Sequence, residues 1–266
     1  MAVTNFIPTI WSSKILEDLE LECKLVENCW REYEGDAKYA GSVKILGVGD
    51  VTIGTYAKAD ISIQEVSDKG QILTIDQAKY FAFVFDDVDK AQSVPGLMAA
   101  TRAEGVRGLA QARDSFVAGL IKTGTNITTA ATLTEDGIKN AVDEALVALK
   151  ERNCNEDMVI ELSPKAAMLF LNSLTIKSTD NPEYIKKGKV GVYDGFDVIM
   201  SNNMAKDGSH AYCAVRGKKA IAFAGQINKV EAMRSEDYFA DLVRGLDTFG
   251  AKTIDNARLQ VVKIPV

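Results

Sequence analysis

Histidine is almost missing from this 266-residue chain, His210 being the only one. It sits in the loop-like stretch Lys-Asp-Gly-Ser-His-Ala-Tyr with no cysteine nearby, so neither a zinc site nor a histidine general base has partners to be built from. The four cysteines, Cys23, Cys29, Cys154 and Cys213, form no Cys-x-x-Cys pair. Zinc ribbons and thioredoxin-type redox sites are thereby disfavoured, and four free thiols packed as small hydrophobes are expected. Long apolar runs are lacking as well. Met158 to Leu162 and Ala166 to Leu171 fall far short of the roughly 20 residues a membrane-spanning helix needs, so no membrane partner is expected. Charge is close to balanced, 31 basic against 37 acidic residues, and a net charge of -6 gives the whole chain no electrostatic reason to coat nucleic acid. No basic start followed by an apolar stretch opens the chain, which argues for synthesis in the cytosol. What is present, 47% apolar and 26% charged residues, is ordinary globular composition.

Catalytic constellations are scarce. Gly47-Val-Gly49 runs into the alternating stretch from Asp50 to Tyr56, which reads as a strand and supplies no helix N-terminus for a pyrophosphate. Lys122-Thr123-Gly124 stands without the Ser-x-x-Lys and Ser-Asp-Asn motifs of a β-lactamase and reads as a helix end. Asp86, Asp87 and Asp89 could hold Mg²⁺ in a soluble enzyme, but no phosphate loop or second carboxylate cluster accompanies them. They are better read as acidic residues that open a helix and complement its dipole. Arg216, Lys218 and Lys219 form a small basic cluster expected to solvate a strand end. The sequence therefore calls for no cofactor, no metal and no catalytic residue.

The periodicities divide the chain. Ile15, Leu16, Leu19, Leu25 and Val26 lie at helical spacing after Pro8, so an extended arm running into a helix is expected over 6–34. From Ser42 to Phe85 the period is two, with Val43 and Ile45, Ile61 and Ile63, and Phe81, Phe83 and Phe85 each on one face; Gly47, Gly49, Gly54 and Gly70 link these strands into long hairpins. A long helix follows, from about Ala99 to Lys122. Its apolar stripe includes Val106, Leu109, Ala110 and Val117, and its polar face Glu104, Arg107, Gln111 and Asp114. Gly105 and Gly108 weaken that helix unless something packs closely on it. Thr134 caps a second helix, and strand Met158 to Leu162, helix Pro164 to Leu174 and an Asp194-Gly195 hairpin complete an α/β unit over 133–228. Strands at 230–233, 239–243, 249–254 and 259–264 close the chain, broken by Gly245 and Gly250, and their natural partners are the early elements.

This order, together with particular phrases, carries a resemblance. Asn-Phe-Ile-Pro-Thr-Ile-Trp at Asn5, Ile-Asp-Gln-Ala-Lys-Tyr-Phe at Ile75, Asp-Gly-Phe-Asp-Val-Ile-Met at Asp194 and Tyr-Phe-Ala-Asp-Leu-Val-Arg-Gly at Tyr238 resemble tailed-bacteriophage major capsid proteins of the Hong Kong 97 type. The resemblance implies an α+β capsid fold. Its parts would be an N-terminal arm (1–40), an extended β-hairpin loop (41–80), a peripheral domain with a spine helix (81–132), an inserted axial domain (133–228) and return strands (229–266). It further implies pentamers and hexamers in an icosahedral shell that encloses double-stranded DNA, with scaffolding and portal proteins as partners, so that the protein ends up in the virion. A bacterial encapsulin shell is the alternative with the same fold. Because a single subunit cannot easily bury the hairpin's apolar face, Val43, Ile45, Ile61 and Ile63 are the expected self-assembly contacts.

Overall fold

The computed structural model describes residues 23–34, 41–45, 53, 70–86, 97–155, 157–174, 189–234 and 239–266. Their strands form three sheets. The smallest is an antiparallel ribbon of β1 (Ser42–Ile45) and β2 (Gln71–Thr74), with Ser42 opposite Thr74. It is the base of the expected hairpin; Ile61 and Ile63 lie outside the described residues.

The second sheet has the order β3 (Gln77–Asp86), β10 (Ala240–Thr253), β9 (Ile221–Arg234), all antiparallel. The sequence breaks β10 at Gly245 and Gly250, but the strand runs through both. Gly245 lies opposite Phe81, whose ring would come within 2.5 Å of an added Cβ, and a Cβ on Gly250 would stand 2.1 Å from the Thr74 carbonyl oxygen. These glycines mark close approaches inside a strand, where an aromatic ring and a crossing backbone take the space of a side chain. Asp86 is corrected in the same way. It is the last residue of β3, paired with Ala240, and the first turn of the following helix carries no acidic residue. Asp87 and Asp89 lie outside the described residues.

That helix, α1 (Leu97–Lys122), has 26 residues, about 39 Å at 1.5 Å per residue. Phe81 packs its ring 3.5 Å from where Gly105 would carry a Cβ, which gives this glycine its close contact. Gly124, just past the helix, faces Val261 and Leu259 so closely that a Cβ would lie 2.6 and 2.9 Å from them.

The third sheet has six strands in the order β4 (Ile127–Thr129), β11 (Leu259–Pro265), β8 (His210–Gly217), β5 (Met158–Leu162), β7 (Phe196–Met200), β6 (Lys189–Tyr193). Helix α2 (Glu135–Glu151) begins as the sequence predicts: Thr134 Oγ1 accepts the Gly137 N–H at 3.2 Å, and Ile138, Val142, Ala145, Leu146 and Leu149 are buried. Helix α3 (Pro164–Ser173) starts on a proline. Asp194 and Gly195, at φ 51° and 84°, make the primed hairpin turn between β6 and β7.

One strand goes elsewhere than expected. The sequence pairs all strands after residue 229 with the early elements, yet β11 pairs with β8 and, in parallel, with β4. The reason lies in its composition, since Leu259, Gln260, Val261 and Val262 are all buried and such a strand needs cover on both faces. The six-stranded sheet provides it. Helices α2 and α3 pack on one side; on the other, where Tyr212 and Arg216 point, lie the end of α1 and residues 23–34.

Candidate assembly surface and the charges buried behind it

Val43 and Ile45, expected to wait for a neighbouring subunit, are 7% and 3% exposed in the single chain. They form a small cluster with Leu73, Ala222 and Ala224, flanked by Tyr33, Ile75 and Ile254. Gln71 Nε2 donates to the Ile254 carbonyl at 2.9 Å and Lys252 Nζ to that of Ile72 at 3.0 Å. The hairpin base is thus fastened to its own subunit, because the ribbon crosses β10 at Gly250 and drops its apolar face onto β9. The intersubunit role of these two residues is corrected accordingly.

Among the described residues, one apolar surface left open lies on the three-stranded sheet. Alternation turns Phe81 and Phe83 toward α1 and leaves Tyr80, Ala82 and Val84 on the far face, with Tyr80 78% and Val84 59% exposed. Across the sheet they meet Leu246, Arg244 and Leu242, and beyond these Glu231 and Met233. Arg244 Nε donates to Glu231 Oε2 at 2.7 Å, so the charges inside this patch neutralise each other. What remains is a shallow, largely apolar groove along Tyr80, Ala82, Leu242 and Leu246.

Behind the sheets lie three buried charged groups of contacts. Arg113 of α1 grips Asp247 of β10 with two parallel bonds, Nε to Oδ2 at 2.8 Å and Nη2 to Oδ1 at 2.5 Å, its guanidinium 5.6 Å from the Phe223 ring and 5.9 Å from that of Phe249. Arg216 does the same to Glu161 at 2.9 and 2.7 Å, with both side chains fully buried. It also donates to the carbonyls of Asn28 at 2.8 Å and Leu25 at 3.0 Å and to Cys29 Sγ at 3.6 Å. The expected surface basic cluster therefore loses Arg216. Asp114, expected on the polar face of the helix, is fully buried and accepts the N–H groups of Lys24, Leu25 and Val26 at 3.0 to 3.2 Å. Burial pushes its carboxyl up, and the three N–H groups and Asn203 pull it back.

One further correction follows from Asp114 and Arg216. Leu25 and Val26, read as part of a helix, lie at a 3-10 turn (Val26–Asn28) whose main chain is captured by the two charges. The signal for these charges was present in the sequence. Arg113 and Asp114 fall three and four residues after Ala110, inside the apolar stripe, and Glu161 and Arg216 interrupt the otherwise apolar Met158–Leu162 and Ala211–Val215. All four cysteines are free and buried. His210 is the first residue of β8 and not, as expected, in a loop; its ring Nδ1 lies 3.5 Å from Asp207. Among the described residues no group of three or more His, Cys, Asp or Glu could hold a metal, and no helix is long and apolar enough to cross a membrane.

A three-stranded sheet on a long helix, joined to a six-stranded α/β sheet, is the architecture of Hong Kong 97-type capsid proteins, and comparison with known proteins agrees. Solved structures share it: a chain of Mycobacterium phage Che8, at 29% identity and TM-score 0.74, covers 90% of both chains. The capsid of cyanophage P-SCSP1u, at 14% identity and TM-score 0.65, covers 85% of this chain and 84% of that one. A virus-like particle from Pyrococcus furiosus, at 12% and 0.62, covers 97% and 99%. The latter two show the fold alone. No curated protein matches the chain. Residues 70–262 match the family described as phage capsid protein, and the chain belongs to that family. It is a structural protein of the virion, of the major capsid type.

Proposed function

We propose that the chain builds an icosahedral phage head from pentamers and hexamers that encloses double-stranded DNA, with scaffolding and portal proteins as partners and assembly in the host cytoplasm. The family match over 70–262 carries this reading. The open apolar face of Tyr80, Val84, Leu242 and Leu246 supports it, since a single chain leaves this face in water. With a net charge of -6, the chain encloses DNA by geometry and not by sequence-specific contact. Residues 46–69, beyond the fastened hairpin base, are proposed to reach a neighbour, with Ile61 and Ile63 as contacts. The arm is proposed over 1–40, with the peripheral and axial domains divided near 132 and 228. Purified protein, with and without the scaffold encoded beside it, is tested by electron microscopy and sedimentation. Closed shells or capsomer-sized rings are expected, and a strictly monomeric protein under both conditions overturns the proposal. The encapsulin reading shares the fold of the Pyrococcus furiosus particle. It would put a cargo enzyme in place of DNA in native particles.

A further inference from the structure

We infer that residues 23–30 are a strap that opens as a unit of its own, a lid of main chain over Asp114 and Arg216. Three observations lead there. Five of the six hydrogen bonds between these two charges and the strap end on its backbone, at the N–H groups of Lys24, Leu25 and Val26 and the carbonyls of Leu25 and Asn28; the sixth is a long bond from Arg216 to Cys29 Sγ at 3.6 Å. The strap's share in the sheets is small. Only Trp30 pairs with a strand, in a bridge to Ala222 of β9 made by two main-chain bonds of 2.9 and 3.0 Å, so lifting residues 23–30 leaves every strand pairing of the six-stranded sheet intact. Lifting also strands no charge. Arg216 keeps its two bonds to Glu161, and Asp114 keeps that from Asn203 while water replaces the three N–H groups it loses. The cost of opening is the burial of Cys23, Leu25, Val26, Asn28 and Cys29 plus the six bonds to the two charges and the two main-chain bonds of Trp30, still below the cost of unfolding the two sheets.

The strap also joins the parts of the fold. Asp114 sits next to Arg113, which holds β10 through Asp247, and Arg216 sits on β8 opposite β5. A pull on the chain N-terminal to residue 23 therefore reaches α1 and both large sheets through two side chains. This holds whether or not the chain forms shells.

The cysteines provide the test, because Cys23 and Cys29 belong to the strap and Cys213 lies on the central strand β8. The full-length protein is labelled with a thiol reagent at several sub-denaturing urea concentrations, and each cysteine is followed by peptide mass spectrometry. Cys23 and Cys29 are expected to react together, at least tenfold faster than Cys213 and with a weaker dependence on urea. In Asp114→Asn, both should speed up at least a further fivefold while Cys213 is unchanged. The wild-type measurement stands even if that variant does not fold. Equal rates and equal urea dependence for all three thiols overturn the inference, as does reaction of Cys23 without Cys29.

Discussion

Removing Asp247 from beneath α1 is the most demanding trial of the packing described above. Its carboxylate takes two bonds from Arg113, and neither side chain reaches water. Asp247→Ala leaves a guanidinium buried between Phe223 and Phe249 with no counter-charge. Breaking a buried pair from one side costs about 3–5 kcal/mol, most of it the penalty of the stranded charge. Set against a total stability of about 5–15 kcal/mol, that loss is large. For a chain of this size it corresponds to a fall in melting temperature on the order of 10 °C. Arg113→Met/Asp247→Leu removes both charges and keeps an apolar stem between the two rings, so the double variant should be more stable than Asp247→Ala. Urea unfolding of the unassembled subunit, run as a double-mutant cycle, measures the coupling. Costs below about 1 kcal/mol for the single changes, or strict additivity, would refute the claim that this pair is a dry contact holding α1 to β10.

Other outcomes can be stated as firmly. Gly250→Ala should lift the ribbon from β10, at a cost of about 1–3 kcal/mol for overpacking, and expose 41–45 to protease in the free subunit; unchanged resistance would contradict the close approach of Thr74. Ile45→Ala should cost about 2 kcal/mol in the free subunit, because Ile45 is already buried within the chain, and a defect confined to assembled particles would contradict that. Tyr80→Ser should leave subunit stability within about 0.5 kcal/mol and raise the concentration needed for assembly, as scattering would show. Asp207 accepts the Tyr212 hydroxyl at 2.6 Å and the N–H groups of Ser209 and His210, which together hold its carboxyl well below the usual range. A depressed folded value means that its contribution to stability is complete above about pH 4, where the unfolded chain titrates, and is lost only as pH falls through the folded value. Carboxyl NMR should find Asp207 still mainly ionised at pH 3, and a midpoint near 3.9 would refute the contact.

Local signals settled much of this protein from the sequence alone. The Thr134 cap, the stripe of α2, the proline that opens α3 and the Asp194-Gly195 turn depend on neighbours within a few residues, so their residue types are sufficient. The same holds for β3, where Phe81 and Phe83 alternate with Tyr80 and Val84. Family phrases added the capsid class, which periodicity cannot provide. The rest depended on contacts between residues far apart in the chain. Gly245 and Gly250 read as breaks until Phe81 and Thr74, more than 160 positions earlier, are placed against them. Val43 and Ile45 alternate correctly for an apolar face, but period two does not say whose surface covers that face, and here it is β9. Asp114 and Arg216 interrupt apolar patterns, a sign of burial, but one dimension does not say what pairs with them. Only when the main chain of 23–30 is laid over them are most of their remaining bonds filled, because those partners are backbone groups that no side-chain pattern records.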